Sequence, residues 1–377
     1  MNSAWTSLLA PTTVTASHTG DGLIPLTEHT IITITGPDAI KFLQGQCTCD
    51  VTLLTQGYWQ LGAHCNVKGR MLSSFTMALL ADDCVALRVH SSIAQSTAQA
   101  LQKYIVFSKA QCEISQALAL GIVGAIPESI HSNKLEDGQF SITPAGTVLQ
   151  HGNNLGELWV STHCALGLDN IKPLLAQNRI YAASRWQLLM IEQGRAEVQQ
   201  ATIDAHLPQA FNFDLIGGIN FKKGCYTGQE IIARVHYKGQ SKQRVHALQL
   251  DEQTSESISV GQPIVNPEGK KIGEVVAIAS NATGHALLAC TKAFDAEAPR
   301  LFVAGIVTNA ATDQDADNSP ANRPVHTMPL QPLPLPYAIP KGNGNSNEGT
   351  VCPQQHQCHP YRRRSTKPYV MPLQPIS

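Results

Sequence analysis

The chain has 377 residues, 43% of them hydrophobic and 15% charged, with a formal net charge of −1. That length supplies a sizeable core in two or three domains, and the near-zero charge excludes a global field that would recruit nucleic acid or membrane. The longest apolar run, Ala117 to Ile126, is about half of a membrane span, and no basic stretch leads into an apolar core near Met1. A cytoplasmic protein with no membrane contact is expected. Its ten cysteines lack framework spacing and read as reduced thiols.

Residues 1–24 read as a flexible N-terminus. Ile31 to Thr35 is β-branched and predicts a strand. Gly36-Pro37-Asp38 turns into a short helix that Asp38 caps and Gly45 stops. Trp59 to Cys65 and Met71 to Leu80 alternate around the turn Asn66 to Gly69, and Cys84 to His90 adds a third strand. Ser92 to Tyr104 has helical spacing. Leu118 to Ile126 and Glu157 to Ser161 read as strands, Leu168 to Asn178 and Ala183 to Gly194 as helices. Hairpins mixed with helices over 25–240 indicate an α+β architecture with antiparallel sheets. From Arg244 the pattern is purely β: Val245 to Leu250, Ile258 to Val265, Lys271 to Ser280, Ala286 to Thr291 and Leu301 to Val307. A small barrel or sandwich is expected over 241–340. Residues 341–377 have little apolar content and read as a disordered tail. Cys352, His356, Cys358 and His359 there match no standard zinc spacing, so no metal site is assigned. The pentapeptide Met-Pro-Leu-Gln-Pro at 328–332 recurs at 371–375, with no physical account.

The most informative stretch is Lys222-Lys223-Gly224-Cys225-Tyr226-Thr227-Gly228-Gln229-Glu230. Thr227 and Glu230 have capping-box spacing, so a helix should begin there and end at Gly239. Cys225 then lies just outside a helix N-terminus, after two lysines. Such surroundings commonly lower a thiol's pKa from its usual value of about 8.5 and make it a nucleophile. The alternative is a small packing residue in a tight turn.

This stretch, preceded by Gly217-Gly218-Ile219-Asn220-Phe221, resembles the signature of the YgfZ family, folate-binding proteins related to the T-protein (aminomethyltransferase) of the glycine cleavage system. Other blocks fit that family in order over about residues 25 to 340: Ile34 to Asp38, Phe42 to Gln46, Asp50-Val51, His64 to Asn66 with Lys68 to Arg70, Tyr104 to Lys109, Pro208-Gln209 and Pro334 to Tyr337. The resemblance implies a T-protein-like fold of two intertwined α+β domains with a C-terminal barrel, binding tetrahydrofolate or a one-carbon derivative in a central cleft, with the reactive Cys225 thiolate expected at the rim of that cleft.

By the same resemblance, Trp186 matches a folate-binding tryptophan and Glu192 a glutamate that contacts the pterin edge. Unaided, helical spacing makes Trp186 a core anchor and Glu192 a surface carboxylate. His29 stands where the family commonly has a second binding tryptophan. Where T-proteins carry a catalytic aspartate this chain has Ser73-Ser74, which cannot steer a cationic amine as a carboxylate does. Aminomethyl transfer is therefore disfavoured. His236 reads as an exposed polar residue. The family reading is an accessory factor for iron–sulfur enzymes and their assembly factors, and thereby for tRNA processing and modification. A folate-dependent methyl- or aminomethyltransferase is one rival. Direct tRNA binding is another, since Lys222 to Arg244 holds six Lys or Arg against one Glu. It lacks the aromatic platform of common RNA folds.

Overall fold

Alternating and apolar segments become strands where a neighbouring layer buries them. The computed structural model describes residues 5, 8–9, 14–15, 19–131, 134–152, 154–161, 171–250, 258–281, 284–292, 301–303 and 330–340. In chain order, β1 (Val14–Thr15), β2 (Gly22–Pro25) and β3 (His29–Thr35) lead to helix α1 (Ala39–Gln44). The hairpin β4 (Gln60–Cys65) and β5 (Met71–Ala81), then β6 (Cys84–His90), precede α2 (Ala94–Ile105) and β7 (Gln111–Ile114). Next come β8 (Leu118–Val123), β9 (Phe140–Thr143), β10 (Gly146–Gln150) and β11 (Leu155–Val160), followed by α3 (Ile171–Gln177), β12 (Ile180–Tyr181) and α4 (Ala183–Glu192). After α5 (Gln229–Lys238) the described elements are β13 (Gln243–Leu250), β14 (Pro263–Val265), β15 (Lys271–Asn281), β16 (Gly284–Lys292), β17 (Phe302–Val303) and β18 (Gln331–Leu333).

These strands form three sheets, ordered β1-β12-β2-β8-β11-β10-β9, β4-β5-β6-β3-β7 and β17-β14-β15-β16-β13-β18. The chain starts in the first, crosses to the second for β3 to β7, and returns, so the two are interleaved in sequence. The third is a curled half-barrel. This is the α+β class expected. Two corrections apply. Pairings β1–β12 and β12–β2 are parallel, so the first sheet is mixed. Nor is the N-terminal segment simply flexible: Trp5 is buried, and β1 and β2 are sheet strands. Gly22 to Pro25 is buried throughout, so no polar alternation marks it as a strand. The strand expected from Ile258 shrinks to Pro263–Val265 because Gly261 turns the chain at φ +93°. The tail, with its Cys/His group and the second copy of the repeat, lies outside the described residues.

One contact between layers positions the site. Gly121 on β8 lies directly against the indole of Trp186 on α4, and a Cβ there would meet Cε3 at 2.6 Å. No side chain fits at 121 unless the indole moves. Gly121→Ala should lower stability by about 1–3 kcal/mol, read as a lower urea midpoint with an unchanged denaturant slope. An unshifted midpoint would show that the indole is not held by this contact.

Candidate functional site: a charged cavity beside Trp186 and an exposed thiol

Beneath Trp186 lies a buried charge cluster. Arg88 on β6 is fully buried. Its Nε is 2.8 Å from Glu157 Oε2 on β11, and one terminal nitrogen donates to Glu197 Oε1 at 3.0 Å. The other donates to Thr76 Oγ1 at 3.1 Å. Glu157 is held further by His151 Nε2 at 2.9 Å and by the Trp159 indole N–H at 2.6 Å. His29 Nε2 lies 2.8 Å from Glu197 Oε2. Burial would raise the Glu157 pKa, yet Arg88, His151 and Trp159 outweigh it and bring it down to about 2. Glu197 is likewise held well below the usual carboxylate range, burial being outweighed by His29 and Arg88. Burial alone would lower the Arg88 pKa, but the two carboxylates raise it. Burial lowers His151, against the pull of Glu157.

Above this cluster opens a cavity of about 330 Å³, lined among others by His29, Trp186, Met190, Arg195, Glu197 and Ile278. Its walls come from α4, the adjoining ends of β3 and β6, the segment after α4, and β15. Trp186 is 1% exposed, so most of its ring packs in the core while part of it faces the cavity. Its Nε1 and His29 Nδ1 are buried without a hydrogen-bond partner. Arg195 has His151 Nδ1 at 3.2 Å and lies over the Trp59 ring at 5.4 Å. Among the described residues no carboxylate pairs with it. The structure therefore brings His29 and Trp186 to one cavity. Glu192 is exposed at the end of α4 and does not line it; burial raises its pKa, with Arg185 opposing. The carboxylates that line it are instead Glu28, which accepts from Gln187, and Glu197; the sequence reading missed Glu197 along with Arg88, Glu157 and Arg195. Ser74 Oγ accepts the Val198 N–H at 2.8 Å, and Ser73 Oγ is buried unpartnered. Both serines belong to the packed wall of β5.

The Cys225 loop is built differently from expectation. Gly228, at φ +83°, is the N-cap of α5, and no side chain caps the helix. The Thr227/Glu230 capping box does not form. A Cβ at 228 would meet the Asn66 carbonyl oxygen at 2.5 Å, so close packing on the β4–β5 turn decides where the helix starts. Gly239 ends it, as expected. Lys223 Nζ donates to the carbonyls of Gln44, Cys47 and Cys49, each at 2.7 Å. All three ammonium protons are thereby used, so Lys223 locks the loop onto the turn after α1 instead of standing free beside the thiol. Asn220 Oδ1 accepts the N–H groups of Lys222 and Lys223. Gly224 has open space around its Cα, Tyr226 is buried over the Lys223 ammonium, and Gln229 starts the helix. Glu230 pairs at the surface with Arg234. Cys225 is exposed, and the six other described cysteines are buried. Burial pushes Cys49 and Cys290 up to about 12, which keeps those thiols protonated. Cys225 does not line the Trp186 cavity, which corrects the expectation that its thiol sits at that rim.

The sequence profile of the GCVT N-terminal domain matches residues 10–133. The glycine cleavage system aminomethyltransferase T from Bartonella henselae superposes with a TM-score of 0.60 at 17% identity, covering 88% of this chain and 89% of that one. The fold is thus that of the glycine-cleavage T-proteins. The tRNA-modifying protein YgfZ of Colwellia psychrerythraea is 30% identical over 298 residues, 78% of this chain and 91% of the relative. That of Serratia proteamaculans is 29% identical over 334 residues, 86% and 94% respectively. The chain belongs to the YgfZ family. Among the described residues no helix is long and apolar enough to cross a membrane.

The buried charges set the acid response. Glu157 has a native pKa below its unfolded value of about 4.5, so the stability it confers is complete above that pH and is lost as the pH falls towards 2. His64, lowered by burial from 6.5 to about 4, adds a loss that begins nearer pH 6.5. Urea midpoints should therefore fall in two stages on acidification. Glu157→Gln should shrink the lower stage by about 3 kcal/mol. A variant whose midpoint falls as steeply as the wild type below pH 4.5 would contradict this assignment.

Proposed function

We propose that the chain is a folate-binding accessory protein that supports iron–sulfur enzymes, or the factors that assemble them, and through them tRNA modification. The observation that carries the folate reading is the cavity: an indole wall, a deprotonated carboxylate and a guanidinium without a carboxylate partner converge on about 330 Å³. A pteridine is flat, and its amino-pyrimidinone edge offers adjacent N–H donors beside a carbonyl oxygen. Each oxygen of Glu197 makes one hydrogen bond, to Arg88 or His29, and keeps a lone pair for such donors. Arg195 can donate to the carbonyl. Trp186 and His29 supply aromatic surface and two buried nitrogens that lack protein partners. In this reading Glu197 takes the pterin-edge role first expected of Glu192. Bound tetrahydrofolate would supply a carrier for one-carbon units.

The exposed Cys225 is the group presented to a macromolecular partner. Its loop is fixed by Lys223 and by the Thr227 N–H, which donates to the Gly45 carbonyl at 3.3 Å. A thiol on a rigid, open loop suits sulfur or cluster handling with a partner protein. The serines at 73 and 74 support an accessory role over aminomethyl transfer, since neither can act as a carboxylate. The relatives' description as tRNA-modifying proteins agrees with this reading.

Titration with tetrahydrofolate, followed by tryptophan fluorescence, should give saturable quenching that Trp186→Phe largely removes. Glu197→Gln should weaken binding by about 10- to 100-fold, the loss of hydrogen bonds to a charged acceptor. Unchanged affinity in Glu197→Gln would place the pteridine elsewhere. Cys225→Ser should bind tetrahydrofolate normally yet fail to restore iron–sulfur-dependent tRNA modification in cells lacking their own relative. Full restoration would remove the thiol from the function.

A further inference from the structure

Helix α5, which follows the Cys225 loop, carries a surface to which neither the cavity nor the thiol gives a role. Phe221 and His236 stack with ring centroids 3.7 Å apart and planes 12° from parallel. Tyr237 stands edge-on to both, 6.2 Å from Phe221 and 4.7 Å from His236. Phe221 is half-buried against the main core, and the other two rings extend outward from it. Tyr237 is 68% exposed and His236 is exposed. The cluster orders itself at the surface, which leaves flat aromatic area open to water.

Cations surround it. From Lys222 to Arg244 there are six Lys or Arg and one Glu. Lys223 is engaged with carbonyls and Arg244 with Asp214. Lys222, Lys238 and Lys242 are exposed, and among the described residues no carboxylate pairs with them. Helical spacing puts Arg234, Tyr237 and Lys238 on adjoining positions of one face. The Arg234–Glu230 pair is open to solvent, with side chains 61% and 84% exposed, so it is worth little and a phosphate can replace it. An acidic polypeptide would satisfy the lysines but would leave the ordered rings unused. Unpaired nucleotides use both features, because every base has a face to stack and every linkage a negative charge. Burial lowers the His236 pKa, against the pull of Asp214, which favours a neutral ring at neutral pH.

We propose that this surface binds single-stranded RNA directly, with an unpaired base stacked on the His236–Tyr237 cluster and flanking phosphates held by Lys222, Arg234 and Lys238. The choice of RNA over DNA rests on the tRNA-linked function proposed above; the surface itself is separate from the folate cavity. The contact the sequence reading found missing, an aromatic platform, is assembled here from residues fifteen and sixteen positions apart.

The test uses the full-length protein and a fluorescently labelled RNA hairpin with an unpaired loop, followed by anisotropy at several salt concentrations. Saturable binding is expected. Tyr237→Ala should weaken it about ten-fold, the value of one stacked base, and Tyr237→Phe should retain it. Lys222→Gln with Lys238→Gln should reduce the slope of log affinity on log salt by about 1.5. The same variants should keep wild-type thermal melting and tetrahydrofolate affinity, so that a failure here is distinct from a failure of the folate reading. The proposal is overturned by absence of saturable binding, or by equal affinity of Tyr237→Ala. It is also overturned if the loop sequence as DNA, a fully paired RNA duplex or a polyglutamate peptide binds as tightly as the hairpin.

Discussion

Arg88 enters the interior from the five-stranded sheet and meets Glu157 from the seven-stranded sheet, while its other end holds Glu197 at the cavity floor. A buried guanidinium without partners would cost several kcal/mol. The two sheets can therefore approach in this arrangement only if both carboxylates are delivered to it. Arg88 is shared between the two carboxylates, with His29 against Glu197 and His151 against Glu157 as further partners. His29 and Arg88 keep Glu197 ionised in a place where burial alone would raise its pKa. The cavity's chemistry is thus a by-product of how the sheets are joined.

The cavity and the Cys225 loop are built in different ways. The cavity lies where sheet ends, α4 and the half-barrel converge, and its polar groups are fixed by packing from several elements. Cys225 has no such enclosure. Its loop is tied to the turn after α1 by one lysine and to the β4–β5 turn by one glycine, and the sulfur faces solvent. The cavity and the exposed thiol thus occupy separate places, each held by its own set of contacts. Tyr337, whose hydroxyl donates to the Gly194 carbonyl at 2.8 Å and accepts from Asn212, pins the proline-rich segment to the end of α4.

Helices α2 and α4 were legible in the sequence because burial on one face writes a helical period, and β3, β5, β6 and β13 because short runs of β-branched and apolar residues mark strands buried over most of their length. What depended on distant neighbours was not. Asp38 lies at the N-cap position of α1, but its carboxylate accepts the Lys109 N–H at 2.8 Å. The helix at 229 begins because Gly228 packs on a hairpin turn, although Thr227 and Glu230 have capping spacing. Trp186 and His29 were found through family resemblance. Arg88 and Glu157 were missed, although each left a mark: a lone charge inside an apolar run, Val85 to Val89 and Leu155 to Val160. A single charge in a strand buried on both faces requires an opposite partner. Glu197 and Arg195 lie in an irregular segment where no period exists to place them.

The central claim is that the pteridine of a folate lies in this cavity, against the indole and over the ionised glutamate. A crystal structure of the protein with tetrahydrofolate tests it most directly. The account predicts ring density in contact with Trp186, with the amino-pyrimidinone edge donating to Glu197. Density for the pteridine outside the cavity, with Glu197 still facing only Arg88 and His29, would contradict it.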